Sequence, residues 1–182
     1  MLLLFSTSAG GLYVLITVNH LRYLDFRKLM ELYAEGNREN AQAHYPHLEI
    51  NQGILSAEDD FYGYLQDVFF RTKGAVYCIW EENKTYISAL RLEPYRDGLL
   101  LEALETHPDY RRSGYAVKLI SAVSAYLAEK GSYTVYSHVH KRNTASLKTH
   151  LATGFQRISD QAVYIDGSVT NNSCTMCLQI QK

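Results

Sequence analysis

The chain has 182 residues, with 18 Lys and Arg against 19 Asp and Glu, a formal net charge of −1. That length predicts one domain, long enough to bury about 70% of the surface its unfolded chain exposes. The balanced charge argues against a bulk polyanion binder, since affinity for a phosphate backbone comes from a surplus of Lys and Arg. A hydrophobic content of 47% with 20% charged residues excludes wholesale disorder, and three cysteines cannot form a disulfide framework and suit a reducing, cytoplasmic compartment. The 15 tyrosines are scattered along the chain and read as amphipathic packing rings.

Residues 1–19 carry no charge. A membrane-spanning helix needs about 20 apolar residues, and Ser6, Thr7, Ser8, Gly10 and Gly11 interrupt this stretch. No Lys or Arg precedes Arg22 to make the basic start of a secretory signal. Residues 1–11 are expected to be a loosely held extension, and the β-branched run 12–18 a first buried strand that opens a domain over 12–182. Asp25 can cap a helix with Phe26, Leu29, Met30 and Tyr33 on one face, ended by Gly36. Residues 37–52 are polar and read as irregular. Ser56 with Asp59 three residues on resembles a capping box, so a second helix should start there, bury Phe61, Leu65, Val68 and Phe69, and close at Gly74.

Three strand-like runs follow at residues 75–81, 85–92 and 98–106, joined by short polar turns that suggest an antiparallel meander. His107-Pro108-Asp109 ends the third, because proline cannot continue a ladder. The loop 110–114 feeds a periodic helix with Ala116, Leu119, Ile120, Val123 and Leu127 on one face and Gly131 at its end. A strand at 133–140, a helix at about 144–152 stopping at Gly154, and two closing strands at 161–165 and 174–180 complete the chain. The class is α+β: a mixed, mostly antiparallel sheet with helices on both faces.

Chemistry concentrates between Leu104 and Phe155. Arg111-Arg112-Ser113-Gly114-Tyr115-Ala116 puts a basic, glycine-containing turn at the start of a long helix. Such a turn leaves backbone N–H groups unpaired and converging, and the helix dipole adds partial positive charge, which together suit a phosphate. Neither the Gly-Lys-Ser/Thr of a Walker loop nor a G-x-G-x-x-G pattern is present. By itself this turn could equally be a solvated basic loop. Further on, Asn143 opens a helix, followed by Ser146, His150, Gly154 and Phe155.

Taken in order, these residues resemble the GNAT acyltransferase superfamily. Arg111, Gly114 and Ala116 stand in its Q/R-x-x-G-x-G/A pyrophosphate loop. Asn143, Ser146, His150, Gly154 and Phe155 stand in its N-x-x-S/A-x-x-x-Y-x-x-x-G-F motif. The resemblance implies a V-shaped opening between two neighbouring strands, occupied by acetyl-CoA as co-substrate. Its pantetheine arm would pair with backbone near Leu104 and Thr106. Its diphosphate would rest on Arg111, Arg112, Ser113, Gly114, Tyr115 and Ala116, with Asn143 close by. The implied reaction is direct acetyl transfer to a primary amine in a ternary complex. The acceptor would be a small molecule or a peptide, without metal, nucleic acid or membrane, and a homodimer is compatible with this reading.

His150 stands where the family usually has tyrosine. A histidine with a reference pKa of about 6.5 could protonate the leaving thiolate or donate a hydrogen bond to sulfur, or it could be a spacer. Glu102 and Glu105 are candidates to relay the amine's proton; strict alternation sends them to opposite faces, so at most one would face the acceptor. His138 and His140 share one face and could line that pocket. Cys174-x-x-Cys177 places its thiols on opposite faces of a strand, unlike a metal pair. A non-catalytic CoA-binding module on the same fold is the rival reading.

Overall fold

A computed structural model describes residues 2–6 and 12–182. The strands are β1 (Leu2–Ser6), β2 (Leu12–Val18), β3 (Val76–Glu82), β4 (Thr85–Tyr95), β5 (Gly98–Thr106), β6 (Tyr133–His140), β7 (Gln156–Ser159), β8 (Ala162–Val163), β9 (Val169–Thr170) and β10 (Ser173–Ile180). The helices are α1 (Phe26–Leu32), α2 (Ala34–His44), α3 (Ile50–Asp67), α4 (Tyr115–Lys130) and α5 (Thr144–Ala152). Eight strands form one sheet in the order β1-β2-β3-β4-β5-β6-β10-β7, and β8 and β9 make a separate small ribbon. Every neighbouring pair in the large sheet is antiparallel except β5 and β6.

Alternation along the strands divides the core in two. One side of β3 and β4 presents Cys78, Trp80, Leu90 and Leu92 to the apolar stripe of α4, formed by Leu119, Ile120, Val123 and Leu127. The opposite side presents Tyr77, Ile79 and Ala89 to Leu29, Met30 and Leu32 of α1 and Leu65 of α3. Each fully buried leucine contributes about 1.5–3 kcal/mol of transfer free energy, so these two stripes fix which faces the helices cover.

The meander β3–β5 is antiparallel as expected, β2 pairs antiparallel with β3, and Asp25 caps α1 by accepting from the Lys28 N–H at 3.2 Å. Elsewhere the structure corrects the expectations. Leu2–Ser6, placed in a loose extension, pairs along its whole length with β2; the five-residue segment LLLFS adds an antiparallel strand beside it. The remainder of that extension lies outside the described residues. Gly36 does not end a helix: the chain turns at Tyr33 and Gly36 lies inside α2.

Residues 37–52 hold most of α2 and the start of α3, so Ser56 is interior to α3 and not its cap. The helix α2 is polar on most faces and buries only Asn37 and Ala41, leaving no apolar stripe to read. It is held by close packing on α3, where a Cβ on Gly53 would sit 3.3 Å from the Ala41 Cβ. Val68 is 53% exposed just past the end of α3. At the other end of the chain β7, not residues 161–165, pairs with β10, because the 162–170 segment folds back on itself as β8 and β9.

The parallel contact of β5 with β6 is short, joining only Leu99–Leu101 to residues 135–137. Gly98 sits at its start, where an added Cβ would lie 2.0 Å from the Thr134 carbonyl oxygen. A side chain there must push the two strands apart at their only anchor. Gly98→Ala is therefore expected to lower unfolding free energy by about 3 kcal/mol, as overpacking at a rigid backbone contact does. Urea denaturation of both proteins measures it, and a change under about 0.5 kcal/mol would show that the strands yield freely.

Candidate active site

Beyond Leu101, β5 follows β4 while β6 follows β10, with which it pairs from end to end. The divergence starts at a bulge. Arg91 faces Glu102 and Ala89 faces Glu105, so two steps on β4 oppose three on β5, and Ala103 is forced to a φ of +49°. A buried tyrosine, Tyr77, and a half-buried one, Tyr33, brace this strained turn. The Tyr33 hydroxyl donates to the Ala103 carbonyl at 2.6 Å and receives the Tyr77 hydroxyl at 2.9 Å. Burial pushes the Tyr33 phenol up to about 12, so it remains a donor at any physiological pH.

The wedge opens into a cleft of about 340 Å³, walled by Leu104, Thr106, Gly114, Ala116, Asn143 and Ser146 among others. At its mouth Arg112 and Gly114 both have positive φ, +61° and +77°. No side chain caps α4, whose first turn bonds from the Lys118 N–H to the Gly114 carbonyl. The N–H groups of residues 112–117 have no hydrogen-bond partner among the described residues. Six successive donors at a helix N-terminus form a preorganised anion site, and Gly114 supplies the left-handed turn that a Cβ would strain.

Each residue expected to hold the cofactor lies at this cleft or its rim, but their roles differ. The Arg111 guanidinium is taken by acids: Nη2 meets Glu105 at 3.2 Å, Nη1 pairs with Glu35 of α2, and Nε donates to the Thr106 carbonyl at 3.2 Å. It anchors the loop to β5 and α2 and is not free for a phosphate, unlike Arg112, for which no ion pair occurs among the described residues. Thr106 likewise has both backbone groups engaged, since its N–H donates to the Glu105 carboxylate at 3.0 Å. Leu104 keeps its place on the cleft wall. The Ser113 hydroxyl turns back to the Arg111 carbonyl, the Tyr115 hydroxyl donates to Glu82 at 2.9 Å, and Ala116 leaves the first helical turn clear. Asn143 caps α5 by accepting from the Ser146 N–H at 3.0 Å.

His150 is 1% exposed, with both ring nitrogens engaged. Nδ1 lies 2.8 Å from the Ser146 carbonyl, which can only accept, so this nitrogen carries the proton. Nε2, 2.9 Å from the Ser137 hydroxyl, then accepts. Burial also lowers its pKa. The imidazole is thus neutral and presents no proton to the cleft, which corrects the expectation of a direct acid: the ring joins α5 to β6 and orients Ser137 and Ser146.

Sequence reasoning placed Glu102 and Glu105 on opposite faces, but the bulge puts them on the same one. It also missed Glu93. That residue lies in a segment read as a turn, whereas β4 continues to Tyr95 and buries Glu93 to 7% exposure. Burial and the adjoining Glu102 carboxyl raise its pKa to about 7, with the Arg91 guanidinium opposing. The cue was available in the alternation of Arg91, Glu93 and Tyr95, which continues the strand period.

A wedge between two parallel strands, an uncapped helix at its mouth and helices on both faces define an acyltransferase-type fold. The Acetyltransferase (GNAT) family matches residues 26–155, and the chain belongs to that family. Similar solved structures include the ribosomal-protein-S18-alanine N-acetyltransferase from Escherichia coli, at 16% identity over 93% of this chain and 95% of that one, with a TM-score of 0.60. The PaiA N-acetyltransferase from Thermoplasma acidophilum, in complex with coenzyme A, shares 14% identity over 92% and 99%, with a TM-score of 0.59. An acetyltransferase from Streptococcus agalactiae 2603 shares 16% over 91% and 96%, with a TM-score of 0.61. At these identities the likeness is one of fold. No curated protein sequence matches the chain. Among the described residues no helix is long and apolar enough to cross a membrane.

A histidine held neutral by burial stabilises the fold above its unfolded pKa of about 6.5, and that contribution is lost as pH falls through the folded value, because the unfolded chain then binds more protons. The stability difference between wild type and His150→Gln should therefore shrink as pH drops below about 6.5, by up to ~1.4 kcal/mol per pH unit. Denaturation at stepped pH measures it; a constant difference would mean the ring is not held neutral.

Proposed function

We propose that the protein transfers an acetyl group from acetyl-CoA to a primary amine by direct attack within a ternary complex. The observation that carries this reading is the row of unpartnered N–H groups at residues 112–117, at the mouth of a cleft whose far end lies between separating strands. Those amides suit a diphosphate, which asks for many donors and little else. Leu104 lies along the wall where an extended amide-bearing arm would run. The thioester then reaches the narrow part of the wedge, and the acceptor enters from the side of α1–α3. The reaction needs a neutral amine nitrogen, donors toward the developing oxyanion and a proton for the departing sulfur. The Ser146 hydroxyl lines the cleft and faces the protonated Nδ1 of His150, which leaves its own proton free to follow the charge as it moves to sulfur.

A second reading, a CoA-holding module without turnover, draws support from the same histidine, which offers no proton. Release of free thiol from acetyl-CoA across a panel of primary amines separates the two: turnover supports the transferase, and tight CoA binding with no thiol release supports the module.

Ala116→Asp tests the anion site. A carboxylate in the first turn favours the helix itself, so the fold should keep its melting temperature. CoA affinity measured by calorimetry should nevertheless fall at least tenfold, which is about 1.4 kcal/mol. Unchanged affinity would place the diphosphate elsewhere.

A further inference from the structure

Tyr33 and Glu35 stand at the junction of α1 and α2, where Tyr33 is both the last cap of α1 and the first of α2. Their side chains reach opposite ends of the same opening. The Tyr33 hydroxyl donates to the Ala103 carbonyl at the bulge, and the Glu35 carboxylate accepts from Arg111 Nη1 beside the anion loop. One short segment outside the sheet therefore spans from the bulge to the loop.

Arg111 closes the span. Its Nε donates to the Thr106 carbonyl and its Nη2 to the Glu105 carboxylate, each at 3.2 Å, while Nη1 serves Glu35. Glu105 Oε1 accepts in turn from the Thr106 N–H at 3.0 Å, so Thr106, Glu105 and Arg111 form a closed ring at the end of β5. All three nitrogens of the planar fork are in use, and a rigid fork meets three acceptors from one position only. The six unpartnered amides follow directly after Arg111, so this residue sets where their row begins.

The contact between Arg111 and Glu35 serves geometry more than stability. The two side chains are 38% and 56% exposed, and ion pairs so open to water add little to folding. The helix α2 is packed closely toward its C-terminal end, where Ala41 meets Gly53 and the Tyr45 hydroxyl donates to Asp60 of α3. Toward its first turn the contacts are polar and few: Asn37 Nδ2 reaches Glu58 at 3.4 Å, and Glu35 reaches Arg111. A helix end fastened this way opens locally at low cost, and it becomes ordered when the group that fastens it becomes ordered.

On the reading that CoA lies in this cleft, we propose that Arg111 and Glu35 are positioning residues that couple the anion loop to α2, so that CoA binding orders the first turns of α2 together with the loop. The diphosphate fixes the amides of residues 112–117 and with them the backbone of Arg111. The fork then holds Glu35 in one place, and two residues earlier Tyr33 keeps its hold on Ala103. Arg111 spends its donors on the protein and not on the diphosphate. The side of the molecule from which the acceptor enters thus takes its final shape only with the cofactor in place.

Amide hydrogen exchange with and without CoA tests this in wild type, Glu35→Gln and Arg111→Lys. In wild type CoA should slow exchange by at least about fivefold at residues 112–117 and about threefold at residues 37–40, where the bond from the Asn37 N–H to the Tyr33 carbonyl opens the helical ladder. Glu35→Gln should keep the slowing at 112–117, lose it at 37–40, and melt within about 1 °C of wild type. Arg111→Lys keeps the charge without the fork and should give the same pattern of exchange. A merely structural tie would alter exchange at 37–40 equally with and without CoA, and that result overturns the proposal. So does CoA-dependent slowing at 37–40 that survives either substitution. Slowing at 112–117 with none at 37–40 in wild type overturns the coupling alone, whereas no slowing at 112–117 overturns the anion-site reading and the coupling with it.

Discussion

The structure depends on a single failure of pairing. β5 and β6 hold together over three residues and then diverge, although each continues to pair on its other side. Divergence in mid-sheet leaves backbone donors and acceptors facing a cleft where a continuous ladder would have satisfied them, and such groups are costly unless water or a ligand meets them. The protein places its other unpaired amides, those that open α4, at the mouth of the same cleft. An extended, amide-containing carrier with an anionic tail satisfies both sets together.

What keeps the wedge open is a bulge braced from outside the sheet. Ala103 occupies a left-handed conformation that its Cβ disfavours, and the Tyr77–Tyr33 pair holds its carbonyl. The extra residue also resets the alternation of β5 and carries Glu105 to the same face as Glu102. The bulge thus opens the cleft and fixes the electrostatics on either side of it. Toward the helix loop, Glu105 and Glu35 hold Arg111, and toward the interior, Glu102 adjoins Glu93 and His138.

The His150 position shows how identity and role can separate. Its place in the motif is legible from the spacing after Asn143, and the structure indeed sets it beside the narrow end of the wedge. Its chemistry is not legible, because that depends on which groups surround the ring. The Ser146 carbonyl and the Ser137 hydroxyl come from α5 and β6, and together with burial they make the ring a brace between two elements. The misread helix start at Ser56 has a similar origin. The local capping signal was genuine as a pattern, but packing of Gly53 against Ala41 extended the helix through it.

By itself the amino-acid sequence determined the meander, the helix α4 with its uncapped glycine start, and the spacing of the two motifs. Each of these is written in periods and turn residues within a few positions of one another. Tertiary structure alone decided which carboxylates meet. The bulge at Ala103, the burial of Glu93 and the isolation of His138 all arise where strands distant in sequence lie side by side, and a local pattern carries no record of its neighbours across the sheet.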